Sequence, residues 1–232
     1  MNVTDFDDIE KVSFPPKGST DEGPYPTPPH DLAHTFTLKS YAPKVFHRLR
    51  SYFGIPVAAY MESVCGECCI SFHSIQASYV CHAAFACIHE VPVLILIDGC
   101  YAGNYNYVEF ISNSKSGQFF FYSHDGRYLL KTQTKEENKF LLDILPEYYQ
   151  YLHDNPHSLL CRILGMHRIE MYHLRRKVHF VVMTSVFDTP NKIGRMYDLK
   201  GSLVGRNASE EDREQGCGVW KDNDLLVDKG II

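Results

Sequence analysis

The chain is 232 residues long, with 44% hydrophobic and 13% aromatic residues, enough apolar material for one large domain or two small ones around a packed core. A net charge of −5 at pH 7 argues against nucleic acid as the main partner and leaves room only for local basic patches. Residues 1–10 are acidic rather than basic then apolar, unlike a signal peptide, and eight cysteines without regular spacing fit reduced cytosolic thiols better than a disulfide framework.

In chain order, residues 1–30 come first, polar, acidic and proline-rich ("FPPKGSTDEGPYPTPPHD"). Such a composition buries too little surface to offset ordering entropy, so a disordered tail is expected, with the folded part beginning at residue 31. In "SYAPKVFHRLRSYFGI" (40–55), Val45, Phe46, Leu49 and Phe53 fall at helical spacing, Pro43 suits a first turn and Gly54 ends the segment; Lys44, Arg48 and Arg50 give a basic face. "SKSGQFFFYSHDGRYLLKT" (114–132) reads as a hairpin: Phe119 to Tyr122 favour a strand, Asp125-Gly126 a tight turn, and Arg127 to Thr132 the returning strand, with Lys131 on the face of Leu129. Thr134 and Glu137 match a capping box opening a helix with Phe140, Leu141, Ile144 and Tyr148 as its inner stripe, divided by Pro146 and stopped at residues 154–156. "LLCRILGMHRIEMYHL" and "KVHFVVMTSVF" predict two antiparallel strands joined around Arg175-Arg176, and "GRMYDLKGSLVGR" a short strand ending at Gly201. The tail from residue 207 is polar and reads as loop-rich. The pattern predicts an α+β layer, an antiparallel sheet with flanking helices to one side.

Four features suit a nucleotide site if the fold assembles them. The loop Ser114, Lys115, Ser116, Gly117 offers backbone N–H groups to phosphates, and Lys131 an ammonium to the α- and β-phosphate oxygens. Met183, Thr184 and Ser185 offer backbone groups to an adenine edge, and Asp198 and Lys200 alternate with Leu199 so that both point to one face. Blander explanations stand beside these: a surface hairpin with a snorkelling lysine, and an exposed Asp–Lys pair. Glu137 fits either a pairing with Lys131 or its capping role. No G-x-G-x-x-G or Walker loop occurs.

"YAPKVFHRLRSYFGI", "SKSGQFFFYSHDGRYLLKT" and "MYDLKGSLVGR" followed by "KDNDLL", in that order, resemble the phosphatidylinositol phosphate kinases, of which "DLKGS" is a highly specific signature; the likeness covers roughly residues 40–66 and 104–229. It implies the amino-terminal lobe of a two-lobed lipid kinase using ATP and Mg²⁺. It also implies a flat basic face that docks on anionic membrane at the cytoplasmic side, the plasma membrane foremost. The implied reaction is phosphorylation of a phosphatidylinositol phosphate, phosphatidylinositol 4-phosphate at its 5-position being the leading choice. By analogy, Lys131 is the phosphate-binding strand lysine, Gly117 lies in the phosphate loop, and Asp198 and Lys200 belong to the nucleotide-site segment. The alternative is a non-catalytic lobe binding membrane or phosphoinositide through Arg168, Arg175, Arg176 and Lys177.

Two departures from the family pattern shape the expectations. Family members continue past "KDNDLL" into a second lobe with a catalytic aspartate, a magnesium aspartate and the activation loop, whereas this chain stops eight residues after Asp224, so a fragment without lipid kinase activity is expected. Asp222 and Asp224 are candidate metal ligands, with a solvated loop as the alternative. The second departure is residues 67–103, which interrupt the pattern between "YMESVCG" and "NYNYVEFISNSKSG". Three readings compete: a zinc site on Cys65 and Cys68 with Cys81, Cys87 or His82; a membrane span from Tyr79 to Ile97, burdened by His82, His89, Glu90 and Pro92; and a translated intron, whose removal leaves "ESVCGNYNYVEF" in frame.

Overall fold

In the computed structural model, the described residues are 2–14, 34–65, 108–110, 120–123, 125–210, 213 and 219–229. The Ser114–Gly117 loop and residues 67–103 lie outside them, and with them the zinc, membrane-span and intron readings. Among the described residues no helix is long and apolar enough to cross a membrane. The chain divides into two compact units, Met1–Asp188 and Thr189–Ile232.

The first unit is built on one antiparallel sheet. Its strands are β1 (Ile9–Phe14), β2 (Phe36–Tyr41), β3 (Val108–Phe110), β4 (Phe120–Tyr122), β5 (Tyr128–Gln133), β6 (Ile163–Met171) and β7 (Arg176–Thr184), in the spatial order β1-β2-β6-β7-β5-β4-β3. The long β6–β7 hairpin forms its centre, pairing Met171 with Arg176 and Arg168 with His179, and Arg175 takes a left-handed φ of 51° in its turn. Between β4 and β5, Gly126 adopts φ +72°, the conformation that the Asp-Gly turn required, and its N–H donates to the Ser123 carbonyl at 2.8 Å. One expectation fails at the amino terminus. Residues 9–14, assigned to a disordered tail, pair along their whole length with β2, from Ile9–Tyr41 to Phe14–Phe36. Phe14 is fully buried and stacks on Phe36 at 4.6 Å, so the alternating pattern of a half-buried edge strand outweighs the polar composition around it.

Helices cover both faces, not one. Helix α1 (Pro43–Tyr52) opens with Pro43, as expected, and buries Val45, Phe46 and Leu49; α3 (Lys135–Asp143) and α4 (Leu145–Asp154) pack on the same face through Leu141, Leu145 and Leu152, against Tyr41, Met166 and Val181. Helix α2 (Val57–Cys65) takes the opposite face, where Tyr60, Met61 and Val64 meet Phe36, Leu38, Phe121, Leu130 and Val182. The period-2 alternation of the strands supplies an apolar row to each side. Two polar ties lock these layers. Arg50, 4% exposed, donates to the Leu164 carbonyl at 2.5 Å and lies 4.7 Å from the Tyr60 ring centroid, joining α1, β6 and α2. Ser63 of α2 donates to Asp125 Oδ1 at 2.5 Å, and Ser123 donates to the same oxygen at 2.7 Å, fastening the β4–β5 turn to α2.

The capping box forms as read: the Thr134 hydroxyl accepts from the Glu137 N–H at 3.1 Å, and the Glu137 carboxylate from the Thr134 N–H at 2.8 Å. Pro146 divides α3 from α4 in the first turn of the latter, and α4 ends at Asp154. Phe140 departs from the expected inner stripe and is 64% exposed; the buried positions are Asn138, Leu141, Leu145 and Leu152, with Ile144 and Tyr148 partly buried against the same cluster.

The second unit holds β8 (Met196–Asp198) and β9 (Val219–Lys221), paired in parallel, and α5 (Asp222–Asp228). The strand expected to reach Gly201 stops at Asp198, and the tail read as loop-rich contributes β9 and α5. Gly201, at φ +69°, turns the chain out of the strand.

Candidate functional site

Lys131 stands in β5 opposite Phe120 on one side and Val181 on the other. Alternation puts it on the face that carries α1, α3 and α4, together with Leu129 and, two residues beyond Val181, Met183. Its ammonium lies 5.8 Å from the Phe120 ring centroid. Cys161 lies beside it: desolvation pushes the Cys161 thiol up, opposed by the Lys131 charge, and its Sγ donates to the Thr184 carbonyl at 3.7 Å. The structure therefore brings Lys131, Met183, Thr184 and Cys161 into one neighbourhood at the end of β7. Glu137 takes up the capping role described above.

The backbone at this end of β7 differs from the expectation. Met183 pairs with both neighbouring strands, the Thr184 N–H donates to the Arg162 carbonyl at 3.0 Å and the Ser185 N–H to the Arg127 carbonyl at 2.8 Å. The N–H groups of Thr184 and Ser185 are thus spent within the sheet. Among the described residues, the Val186 backbone makes no hydrogen bond, and Val186 and Phe187 are 74% and 40% exposed. The open backbone falls at Val186 rather than at Thr184 or Ser185, because strand ends vary by a residue or two in any pattern reading. The apolar run hid where the ladder stops.

In the second unit Asp198 and Lys200 do pair, Nζ to Oδ1 at 2.7 Å, although Lys200 lies beyond the strand. The Lys200 hydrogen bond, helped by Arg206 at 3.3 Å, holds the Asp198 carboxyl below the usual carboxylate range. The loop that follows is held by Asp222. Its Oδ1 accepts the N–H groups of Lys200 and Gly201 at 3.0 and 2.8 Å, and its Oδ2 accepts Arg206 Nε at 2.8 Å. The Arg206 bond, against an opposing desolvation and with the backbone donors, draws the Asp222 carboxyl down to about 2. At Asp224, 2% exposed, burial works against ionisation, yet the N–H groups of Ala208 and Lys221 at 2.7 and 3.0 Å, with the Arg213 guanidinium, hold the carboxyl low. Both carboxylates are filled by protein donors, so neither fits a magnesium ligand. They brace the loop.

A cationic row crosses the same sheet face as Lys131. Lys11, Lys39, Arg168, His179 and Gln133 are successive cross-strand partners through β1, β2, β6, β7 and β5. Glu170 in the next row binds Arg168 at 2.9 Å and Lys177 at 2.8 Å, and the Lys177 bond foremost holds the Glu170 carboxyl low. Burial first, then the Arg168 and Lys135 charges, holds His179 below its usual value. Arg168 Nε, His179 Nδ1 and Gln133 Oε1 are buried without a hydrogen-bond partner. Of the four cations expected at a membrane, Arg168 and Lys177 join this surface. Arg175 is in the turn, and Arg176, by alternation, belongs to the other face. The contribution of Lys11 and Lys39 was not legible, because Lys11 lay in a stretch read as a tail.

A family model described as Phosphatidylinositol-4-phosphate 5-Kinase matches residues 101–232. The chain is 36% identical over 218 residues to phosphatidylinositol 4-phosphate 5-kinase 7 of Arabidopsis thaliana, covering 94% of the chain and 23% of the relative. It is 35% identical over 190 residues to a probable phosphatidylinositol phosphate kinase of Dictyostelium discoideum, covering 82% and 22%. With a phosphatidylinositol 4-phosphate 5-kinase of Plasmodium falciparum it shares 31% identity over 203 residues, covering 85% and 10%. The chain spans 10% to 23% of the length of these relatives.

Proposed function

The chain belongs to the phosphatidylinositol-4-phosphate 5-kinase family, and on that premise we propose that it supplies the nucleotide-gripping lobe of a kinase that transfers the γ-phosphoryl group of ATP to phosphatidylinositol 4-phosphate, giving the 4,5-bisphosphate and ADP. Relatives are named for the 5-kinase activity. The observation that carries the reading is the placement of Lys131 beside Met183 on one sheet face, next to the open backbone of Val186. The Lys131 ammonium meets α- and β-phosphate oxygens, and the Val186 N–H and C=O meet the adenine edge. The resemblance assigns phosphate binding to Ser114, Lys115, Ser116 and Gly117 as well. In a water-poor cleft, a cation already in position stabilises phosphate charge without reorganisation. Within the second unit, Asp198 orients the Lys200 ammonium at 2.7 Å. Magnesium would supply neutralisation of phosphate charge; Asp222 and Asp224 are already filled by protein donors, so its ligands would belong to the second lobe of the family.

The lipid arrives at a surface. We assign the membrane contact to the face of Lys11, Lys39, Arg168 and Lys177, which suits anionic lipid at the cytoplasmic side, the plasma membrane foremost, each cation there contributing about 1 kcal/mol. A non-catalytic phosphoinositide-binding lobe would use this same face and would not need Lys131.

The reaction is tested by supplying γ-labelled ATP and vesicles containing phosphatidylinositol 4-phosphate to the chain joined to the second lobe of the Arabidopsis relative. Label in the bisphosphate is expected; label in no lipid favours the binding lobe. The membrane face is tested by sedimentation with anionic vesicles. Lys39→Glu with Arg168→Glu should weaken binding by about 2 kcal/mol or more, and wild-type binding by that variant would contradict the assignment.

A further inference from the structure

A cavity of about 460 Å³ opens between the amino-terminal turn, the ends of β1 and β2, and the α3–α4 junction. Its volume lies within the range of roughly 300–1,000 Å³ usual for ligand clefts. Phe6, Ile9, Tyr41, Leu142 and Pro146 make an apolar floor, and Asp7, Asp8 and Asp143 line it as well. Ile9 is 50% exposed, and Val3 at the edge 83%, so large apolar groups stand open to water beside the carboxylates.

The cavity is separate from the proposed nucleotide site. Ile9 and Tyr41 begin a cross-strand row that runs through Met166 and Val181 to Lys131. Four strand spacings put the two ends roughly 19 Å apart. Three carboxylates also repel a polyphosphate. Asp8 is already engaged: Lys44 Nζ lies 3.2 Å from its carboxylate, and its carbonyl accepts the Ala42 N–H at 2.8 Å. Asp7 and Asp143 form no salt bridge among the described residues. An occupant must therefore bring an apolar body and a cation together.

The wall selects among such occupants. Among the described residues β1 is the edge strand of the sheet, hydrogen-bonded on one side to β2. An edge strand offers backbone groups to an extended chain, and alternate side chains of that chain then face the same pocket. We infer that this cavity docks an extended basic segment of a partner protein. An apolar side chain of that segment sits on the Phe6–Ile9–Tyr41 floor, and a lysine or arginine two residues away meets Asp7 and Asp143. The inference stands whether or not the chain serves a lipid kinase.

The test is fluorescence anisotropy of the 232-residue chain with a fluorescein-labelled Ser-Phe-Ser-Lys-Ser-Lys-Ser amide, whose Phe and Lys share one side when extended. Saturable binding is expected, weakened about tenfold by Asp7→Asn with Asp143→Asn, the effect of two surface ion pairs lost together. A peptide with both lysines replaced by glutamine should bind comparably weakly to the wild-type chain. Ile9→Thr, which keeps a β-branched residue in the strand, should also weaken binding by removing apolar floor. If the double variant unfolds, the glutamine peptide and Ile9→Thr still decide. Absence of binding, equal affinity for the glutamine peptide, or insensitivity to both the aspartate and Ile9 substitutions would overturn the inference. So would self-association of the chain that occludes the peptide.

Discussion

Asp222 shows how far a residue's work depends on donors that no local pattern announces. Its carboxylate holds the N–H groups of Lys200 and Gly201 and the Arg206 guanidinium, 16 to 22 positions away in sequence. From the sequence it was one of two aspartates in a polar loop, open to a metal or to water. What was legible at this scale was chemistry between near neighbours: the Thr134–Glu137 box, three residues apart, and the Asp198–Lys200 pair, two apart. The depressed carboxyl of Asp222 has a consequence with a definite sign. A group near 2 in the folded chain and near 3.9 unfolded contributes stability that is present above about pH 4 and is lost as pH falls toward 2. Asp222→Asn should therefore lower the thermal midpoint near neutral pH, and the deficit should shrink between about pH 4 and pH 2. An equal deficit at every pH would mean that the charge is irrelevant and only shape matters.

At the scale of elements, the clearest signals were those with a local physical cause. Pro43 opens α1, Pro146 splits α3 from α4, and the Arg175 turn joins two strands of opposite direction. The capping box carries a prediction of its own. Thr134→Ala removes the hydroxyl that accepts the Glu137 N–H, and should cost about 1 kcal/mol in chemical denaturation. No loss of stability would show that α3 is held by packing alone. The misreadings also have causes. β1 was masked by prolines just beyond it, although its register with β2 is continuous over six residues. Phe140 was placed inward on its apolar character, whereas Asn138, Leu141, Leu145 and Leu152 follow one seven-residue spacing that leaves it outside. Helix α2 was not anticipated, and its position opposite α1 depends on Tyr60, Met61 and Val64 finding the Phe121 and Leu130 side of the sheet. That pairing is between residues some sixty positions apart.

For the whole molecule, the family was legible in "DLKGS" and its companions, and the match over residues 101–232 bears that out. The nucleotide reading needed cross-strand geometry as well. Lys131 on its own stretch read more readily as a snorkelling surface lysine; register places it with Met183 on one face and leaves the Val186 backbone open beside them. The same register turns Lys11 and Lys39, distant in sequence from Arg168, into one cationic surface with it. The acidic cavity, at the far end of the Lys131 row, keeps its own charge. If Lys131 grips the phosphates of ATP, its replacement must remove catalysis without removing the fold. The decisive comparison is lipid phosphorylation by the chain joined to a second lobe of the family, with Lys131 intact and as Lys131→Met, at matched thermal stability. The intact protein should label phosphatidylinositol 4-phosphate, and the variant should lose about a hundredfold or more in turnover. Near-normal turnover by Lys131→Met would show that the lysine is only part of the hairpin and that the phosphates are held elsewhere.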